Sequence, residues 1–327
     1  MIQLEEVSKI YDDSTLAVDQ VSLHIKKGEI FGLIGTSGCG KTTTLKMINR
    51  LTEPSSGTIT LNGVSIKEQP PEQLRRRMGY VIQNVGLFPH YTIGENISVV
   101  PKLLKWDQQK IKMRVRELLD MVSLPPDDYE NRLPEALSGG QKQRAGLARA
   151  LAADPPVILM DEPFGALDPI TKKNVQQEFK NLLKLVNKTA ILVTHDISEA
   201  FDLCHRVALM DQGKVQQVGT PKELLMKPQN QFVHSFFESG RMDLELQVLK
   251  LSDLPFKNTG HTDTADITLP ESDTIKEALI KLETESSETI VDITDDKQNV
   301  TATFRTGRLL TVYDELRRQN REEIRFE

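Results

Sequence analysis

Eight residues carry the clearest chemistry in the chain: Gly35-Thr36-Ser37-Gly38-Cys39-Gly40-Lys41-Thr42, with Thr43 directly after them. Their spacing, Gly-x4-Gly-Lys-Thr, is that of a phosphate-binding loop. Glycines let consecutive backbone N–H groups turn inward as an anion nest. A helix that follows aims its positive end at the same point, and the Lys41 ammonium adds a mobile charge. Thr42 offers its hydroxyl to a divalent cation such as Mg2+. The order Gly35-x-x-Gly38-x-Gly40 does not fit the G-x-G-x-x-G of a dinucleotide fold. Cys39 reads most simply as a small filler inside the loop.

A second group stands far downstream, where Val157-Ile158-Leu159-Met160 ends in Asp161-Glu162. Successive side chains of a strand point opposite ways, so the two acids can serve different tasks. An acid at such a strand end holds the magnesium shell, and a base beside it orients and deprotonates water. Asp161 is therefore expected at the metal and Glu162 at the water. An exposed acidic turn explains a pair of acids, but not their placement after four apolar residues.

Upstream of that strand stands Leu137-Ser138-Gly139-Gly140-Gln141, in which Ser138 caps a helix whose glycines leave N–H groups uncovered. With this segment in place the sequence resembles the ATP-binding-cassette ATPases over residues 1–240. The resemblance implies that Tyr11 stacks on adenine and that Gln83, with Thr42 and Asp161, serves Mg2+. It also implies that Ala166-Leu167-Asp168 is the D-loop and that His195 is the switch histidine. Glu162, His195 and Gln83 are thus the expected catalytic set. Gly35 to Thr43, Tyr11, Asp161, Ser138, Gly139, Gly140, Gln141 and Asp168 are the expected ATP contacts. Taken singly, Tyr11 also reads as a surface aromatic, Gln83 as a strand-end polar residue and His195 as a capping histidine. The family further implies a head-to-tail dimer, in which Ser138 to Gln141 of one cassette close over ATP held by the other.

The elements that must position these groups follow an α/β pattern. Ile2 to Ser8 and Leu16 to Ile25 alternate as strands, and Ile30 to Ile34 is a continuous apolar run ahead of the glycine loop. Leu45, Ile48 and Leu51 then recur at helical spacing. Lys110 to Val122 is amphipathic, with Ile111, Val115, Leu118, Leu119 and Val122 on one face. Short apolar strands at Val157 to Met160 and Ala190 to Val193 alternate with helices at Ser138 to Ala153 and Thr171 to Val186, which predicts a mostly parallel sheet. The resemblance refines this to a P-loop NTPase cassette with a RecA-like core, an antiparallel β subdomain and an α-helical signature subdomain.

Composition changes near Gly240, giving expected domains of 1–240 and 241–327, with a polar loop at Asn258 to Thr264. Downstream the pattern reads strand (Asp266 to Leu269), helix (Thr274 to Leu282), strands (Thr289 to Ile293, Val300 to Phe304) and helix (Arg308 to Arg317). This small α+β unit resembles a single CBS module, through Thr274 to Leu279 and Gly307 to Leu310. A cassette followed by CBS sequence is similar to bacterial importers of glycine betaine, choline and carnitine, which generally carry two such modules. A regulatory nucleotide pocket lies between paired modules, so here it needs pairing across a homodimer.

The partners follow from what the chain contains. At 327 residues, with 27% charged and 38% apolar, it is a globular chain without an apolar run near the ~18 residues that span a bilayer. Its N-terminus, with Glu5 and Glu6 early, does not read as a secretory signal. Transport therefore requires separate permease subunits, with a substrate-binding protein acting indirectly, and the chain is expected at the cytoplasmic face of the inner membrane. Asn84 to Tyr91, containing Leu87-Phe88-Pro89-His90, reads either as a groove for a permease helix or as core packing. Similarity to importer cassettes favours the groove. A net charge of −6 argues against nucleic acid, and Arg75-Arg76-Arg77 reads as a solvated face. Cys39 and Cys204 cannot form a disulfide framework.

Overall fold

Alternating apolar residues fold the start of the chain into β1 (Ile2–Ile10) and β2 (Leu16–Ile25), whereas the continuous apolar run makes β3 (Ile30–Gly35). In β1, Ile2, Leu4 and Val7 turn inward while Gln3 and Glu5 face water. The period of two breaks at a bulge between Leu4 and Val7, where Glu6 adopts φ +48°. The structure, a computed structural model, describes residues 1–83, 86–256 and 265–323, with the side chains of 184, 185 and 321–323 excluded. Asn84, Val85 and the expected polar loop at Asn258 to Thr264 lie outside the described residues.

The chain divides into Met1–Val218 and Gly219–Glu327. The first unit adds β4 (Ser56–Leu61), β5 (Val64–Ser65), β6 (Met78–Val81), β7 (Val157–Asp161), β8 (Thr189–Val193), β9 (Arg206–Asp211) and β10 (Lys214–Gly219). One sheet is antiparallel, in the order β2-β1-β4-β5. The other has six strands, in the order β10-β9-β3-β8-β7-β6, and every pair from β9 to β6 is parallel. Residues of β3, β7 and β8 are buried throughout, as continuous apolar strands of a covered parallel sheet should be. Val157, Ile158, Leu159 and Met160 are wholly buried. Each stabilises the fold by roughly 1.5–3 kcal/mol relative to exposure.

Between β6 and β7 the chain is helical: Ile93–Leu103, Gln108–Met121, Pro126–Tyr129 and Gly139–Leu151. Thr92 and Glu95 cap the first of these reciprocally, Asp107 caps the second, and Ser138 with Gln141 caps the last. The helix at Ile93–Leu103 carries Pro101 in its interior, and the sequence reading assigned no helix there. Arg75 lies on the short helix Pro71–Arg76 and donates to the carbonyls of Asn49 and Arg50, so one of the three arginines pins a loop.

The second unit opens with helices Pro221–Met226, Gln231–Phe236 and Arg241–Val248. β11 (Ile267–Pro270), β12 (Ile290–Thr294) and β13 (Val300–Arg305) then form a sheet in that order, first parallel and then antiparallel, with helices Ile275–Lys281 and Leu309–Glu323. Its core gathers Leu249, Leu251, Ile275, Val291, Phe304 and Tyr313. The composition change near Gly240 falls inside this unit. Helix Pro221–Met226 packs both on Gln231–Phe236 and on the later helix Arg241–Val248, so the contacts divide the chain at Val218/Gly219 and not at Gly240.

Candidate nucleotide site

The phosphate loop spans the gap between β3 and helix Lys41–Ile48. Gly35 (φ +145°) and Gly40 (φ +102°) have no room for a side chain. A Cβ on Gly35 would stand 1.9 Å from the Met210 carbonyl oxygen, and one on Gly40 2.4 Å from that of Ala17. Lys41 is buried, and its Nζ donates to the carbonyls of Gly35 (3.0 Å) and Thr36 (2.7 Å). Cys39 is also buried, with its Sγ 3.6 Å from the same ammonium.

Around the loop stand the acids of the parallel sheet. Thr42 Oγ1 donates to Asp161 Oδ1 at 2.9 Å, so the end of β7 meets the first turn of the helix. Thr36 Oγ1 donates to Asp211 Oδ1 at 2.7 Å. Burial, and then the charge of Asp161, push the Tyr80 phenol up to about 12, so it stays protonated beside that carboxylate. At the outer side the Tyr11 hydroxyl lies 3.4 Å from Thr43 Oγ1, with the Lys9 ammonium 5.2 Å from the Tyr11 ring centroid.

Glu162 follows Asp161 in a left-handed conformation, φ +46°, which few residues other than glycine adopt. Its N–H is anchored on the Val193 carbonyl at 2.8 Å, so the turn is fixed by β8. The side chain receives Gln83 Nε2 at 2.9 Å and stands 3.2 Å from His195 Nδ1. Among the described residues both partners fall on Oε2, which leaves Oε1 as the oxygen that can accept from another group.

The structure thus brings together Gly35 to Thr43, Tyr11, Gln83, Asp161, Glu162 and His195. Among the described residues, no hydrogen bond or ion pair joins Ser138 to Gln141, or Asp168, to the loop. Ser138 N donates to Gln141 Oε1 (2.9 Å) while Gln141 Nε2 donates to the Tyr129 hydroxyl (3.0 Å). Gly139 and Gly140 face Leu167 and Thr171, so the segment neighbours that of Asp168. Asp168 caps helix Pro169–Val186 through the Thr171 N–H at 3.1 Å.

Sequence reasoning missed Asp211 and Tyr80. Asp211 carries a readable signal, since it ends the apolar run Val207–Met210 just as Asp161 ends Val157–Met160. Tyr80 carries none.

Among the described residues no three His, Cys, Asp or Glu side chains converge as a metal cage. The oxygens on offer are the Thr42 hydroxyl, the Asp161 carboxylate and the Gln83 amide Oε1. This sparse oxygen set fits Mg2+, which keeps several waters and takes further ligands from phosphates.

Comparison with known proteins supports the same chemistry. Residues 18–165 match the family model described as ABC transporter. The glycine betaine/carnitine/choline transport ATP-binding protein OpuCA of Bacillus subtilis is 53% identical over 272 residues, which is 83% of this chain and 71% of that protein. The chain belongs to the ATP-binding subunits of ABC transporters. The choline transport ATP-binding protein OpuBA of Bacillus subtilis is 48% identical over 298 residues, 91% of this chain and 76% of the other. An ATP-binding cassette solved as a dimer in a post-hydrolysis state with ADP and Pi aligns with TM-score 0.60 and 33% identity, over 67% of this chain and 98% of its own. As an ABC ATP-binding subunit, the chain has ATP as its nucleotide and the cassette fold as its first unit. Among the described residues no helix is long and apolar enough to cross a membrane.

Proposed function

We propose that this ABC subunit hydrolyses Mg-ATP to drive import of a quaternary-amine osmoprotectant, such as glycine betaine, carnitine or choline, through separate permease subunits. The observation that carries the hydrolytic reading is the meeting of Gln83 and His195 on one oxygen of Glu162, beside the phosphate loop. Loop N–H groups and Lys41 hold the β- and γ-phosphates while Tyr11 stacks on the adenine. Glu162 Oε1 takes a proton from water as the water oxygen bonds to the γ-phosphorus, and the bridging oxygen leaves with ADP. Gln83 and His195 fix the carboxylate through Oε2. Thr42, Asp161 and Gln83 would hold Mg2+, which would supply charge neutralisation on the phosphate oxygens.

Ser138 to Gln141 and Asp168 then serve the ATP of a second cassette in a head-to-tail homodimer, which suits a capped helix start that faces none of its own loop. The permease contact is the segment Leu87 to Tyr91. Phe88 and Tyr91 are exposed with ring centroids 5.4 Å apart, so Phe88 is not core. Asn96, buried, accepts from Phe88 N–H and donates to the carbonyls of Phe88, Tyr91 and Thr92, which stiffens that apolar knuckle. The location is the cytoplasmic face of the cell membrane, with a substrate-binding protein acting indirectly. The second unit, read as CBS-like, dimerises or regulates, with any nucleotide held between paired copies. The acidic balance disfavours nucleic acid as the substrate.

The test is co-purification of the full chain with its permease, reconstitution in proteoliposomes and ATP-dependent uptake of labelled glycine betaine, choline and carnitine. Uptake by the wild type and none by Lys41→Ala is expected. ATPase stimulated by nucleic acid with no uptake of any of the three would overturn the reading.

A further inference from the structure

His195 is far more exposed than the Glu162 it meets, with 65% of its side chain open to solvent against 23%. Packing therefore does little to hold it 3.2 Å from Glu162. What holds it is the backbone on either side. Thr194, buried, has its N–H 3.3 Å from the Leu33 carbonyl, and its Oγ1 accepts the Asp196 N–H at 3.0 Å. Asp196 Oδ1 caps helix Ile197–Leu203 by accepting the Glu199 N–H at 3.1 Å. These bonds on the Asp196 side are internal to residues 194–199.

A side-chain tie to another element comes from helix Pro169–Val186. Lys172 Nζ lies 2.7 Å from Asp196 Oδ2 and 3.1 Å from Glu199 Oε2, bridging the residue next to His195 and a carboxylate whose side chain is only 2% exposed. Gln176 Nε2 adds a bond to the same Glu199 oxygen at 3.2 Å. Burial raises the carboxyl pKa of Glu199, and the Lys172 ammonium works against that rise. Lys172 lies one turn into the helix that Asp168 caps, and its N–H bonds back to the Asp168 carbonyl at 2.8 Å.

We infer that Lys172 is a positioning residue for hydrolysis: it tethers the switch segment of His195 to the helix begun by Asp168, so that His195 stays on Glu162. The same two helices are joined again by Lys180 and Asp202 at 2.7 Å, further from the site, which provides a matched control.

The tether rests on the reading of Glu162 and His195 as the hydrolytic pair, and the test separates the two. In the full chain, Lys172→Met should lower kcat about tenfold with KM for ATP changed less than twofold, while Lys172→Arg keeps at least half of the turnover and Lys180→Met is wild-type. Lys172→Met strands the buried Glu199 charge, so Lys172→Met with Glu199→Gln is the second variant, and it should show the same loss of kcat with normal thermal unfolding. In the His195→Ala background the Lys172→Met change should cost less than twofold, since residues acting as a unit are not additive. Wild-type kcat in both Lys172→Met variants beside an impaired His195→Ala overturns the tether alone. So does an equal loss in Lys180→Met, or a full tenfold loss on top of His195→Ala. Wild-type turnover by His195→Ala overturns the underlying reading instead.

Discussion

Two glutamates, one in each unit, show how the same side chain is turned to different ends. Glu162 sits at a strand end with a quarter of its side chain open, held through one oxygen by a neutral amide and an imidazole. Glu245, in helix Arg241–Val248, is 3% exposed and has a cation or a phenol at both oxygens. Arg241 Nε lies 2.7 Å from Oε1, Arg317 Nε lies 2.9 Å from Oε2, and the Tyr313 hydroxyl donates to Oε2 at 2.7 Å. Two guanidinium groups and a phenol leave that carboxylate no capacity for chemistry, and the Tyr313 phenol is in turn pushed up by burial and by Glu245. A carboxylate with weak partners on one oxygen can receive a proton. One ringed by strong donors is a clamp between helices.

This contrast can be broken by experiment. Glu162→Gln should keep ATP bound while slowing turnover by about 10²–10⁴, the range of a positioned base, as single-turnover phosphate release and nucleotide titration would record. Wild-type turnover would end the assignment. Glu245→Leu leaves two partly buried guanidiniums without their anion and should destabilise the second unit by up to about 3–5 kcal/mol, read as faster hydrogen exchange in helix Leu309–Glu323. Its basal ATPase should change little. A loss of turnover as deep as that of Glu162→Gln would erase the distinction drawn between the two acids. Tyr11→Ala should weaken ATP by about 0.5–1.5 kcal/mol, roughly two- to tenfold, as a lost aromatic contact does. Smallest of all, Cys39→Ala should leave nucleotide affinity within about twofold, because the buried thiol fills space beside Lys41.

What could be read from the sequence was what lay contiguous. Gly35 to Thr43 and Val157 to Glu162 state their geometry in a single stretch, since a loop between strand and helix or an acid after an apolar run needs no distant partner to be recognised. The capped helix at Ser138 was visible for the same reason, as a serine directly ahead of two glycines, and the fold adds the reciprocal pair with Gln141. Contacts made by folding were not visible. Thr36 and Asp211 meet across 175 positions, and Gln83 and Glu162 across 79. Lys172 meets Asp196 and Glu199 only where helix Pro169–Val186 lies beside helix Ile197–Leu203. The division of the chain was displaced from Gly240 because composition reports solubility, whereas the helices Pro221–Met226 and Gln231–Phe236 are assigned by what they pack on.

The position of Lys41 has a consequence for how the site meets its ligand. The ammonium is stripped of most of its water by the fold itself and rests on two carbonyl oxygens of its own loop. Its dehydration is thus a cost of folding and not of capture, so an arriving triphosphate exchanges one set of oxygens for another around a cation already in place. Affinity there is set less by attraction across open water than by how well the incoming oxygens outcompete the resident ones.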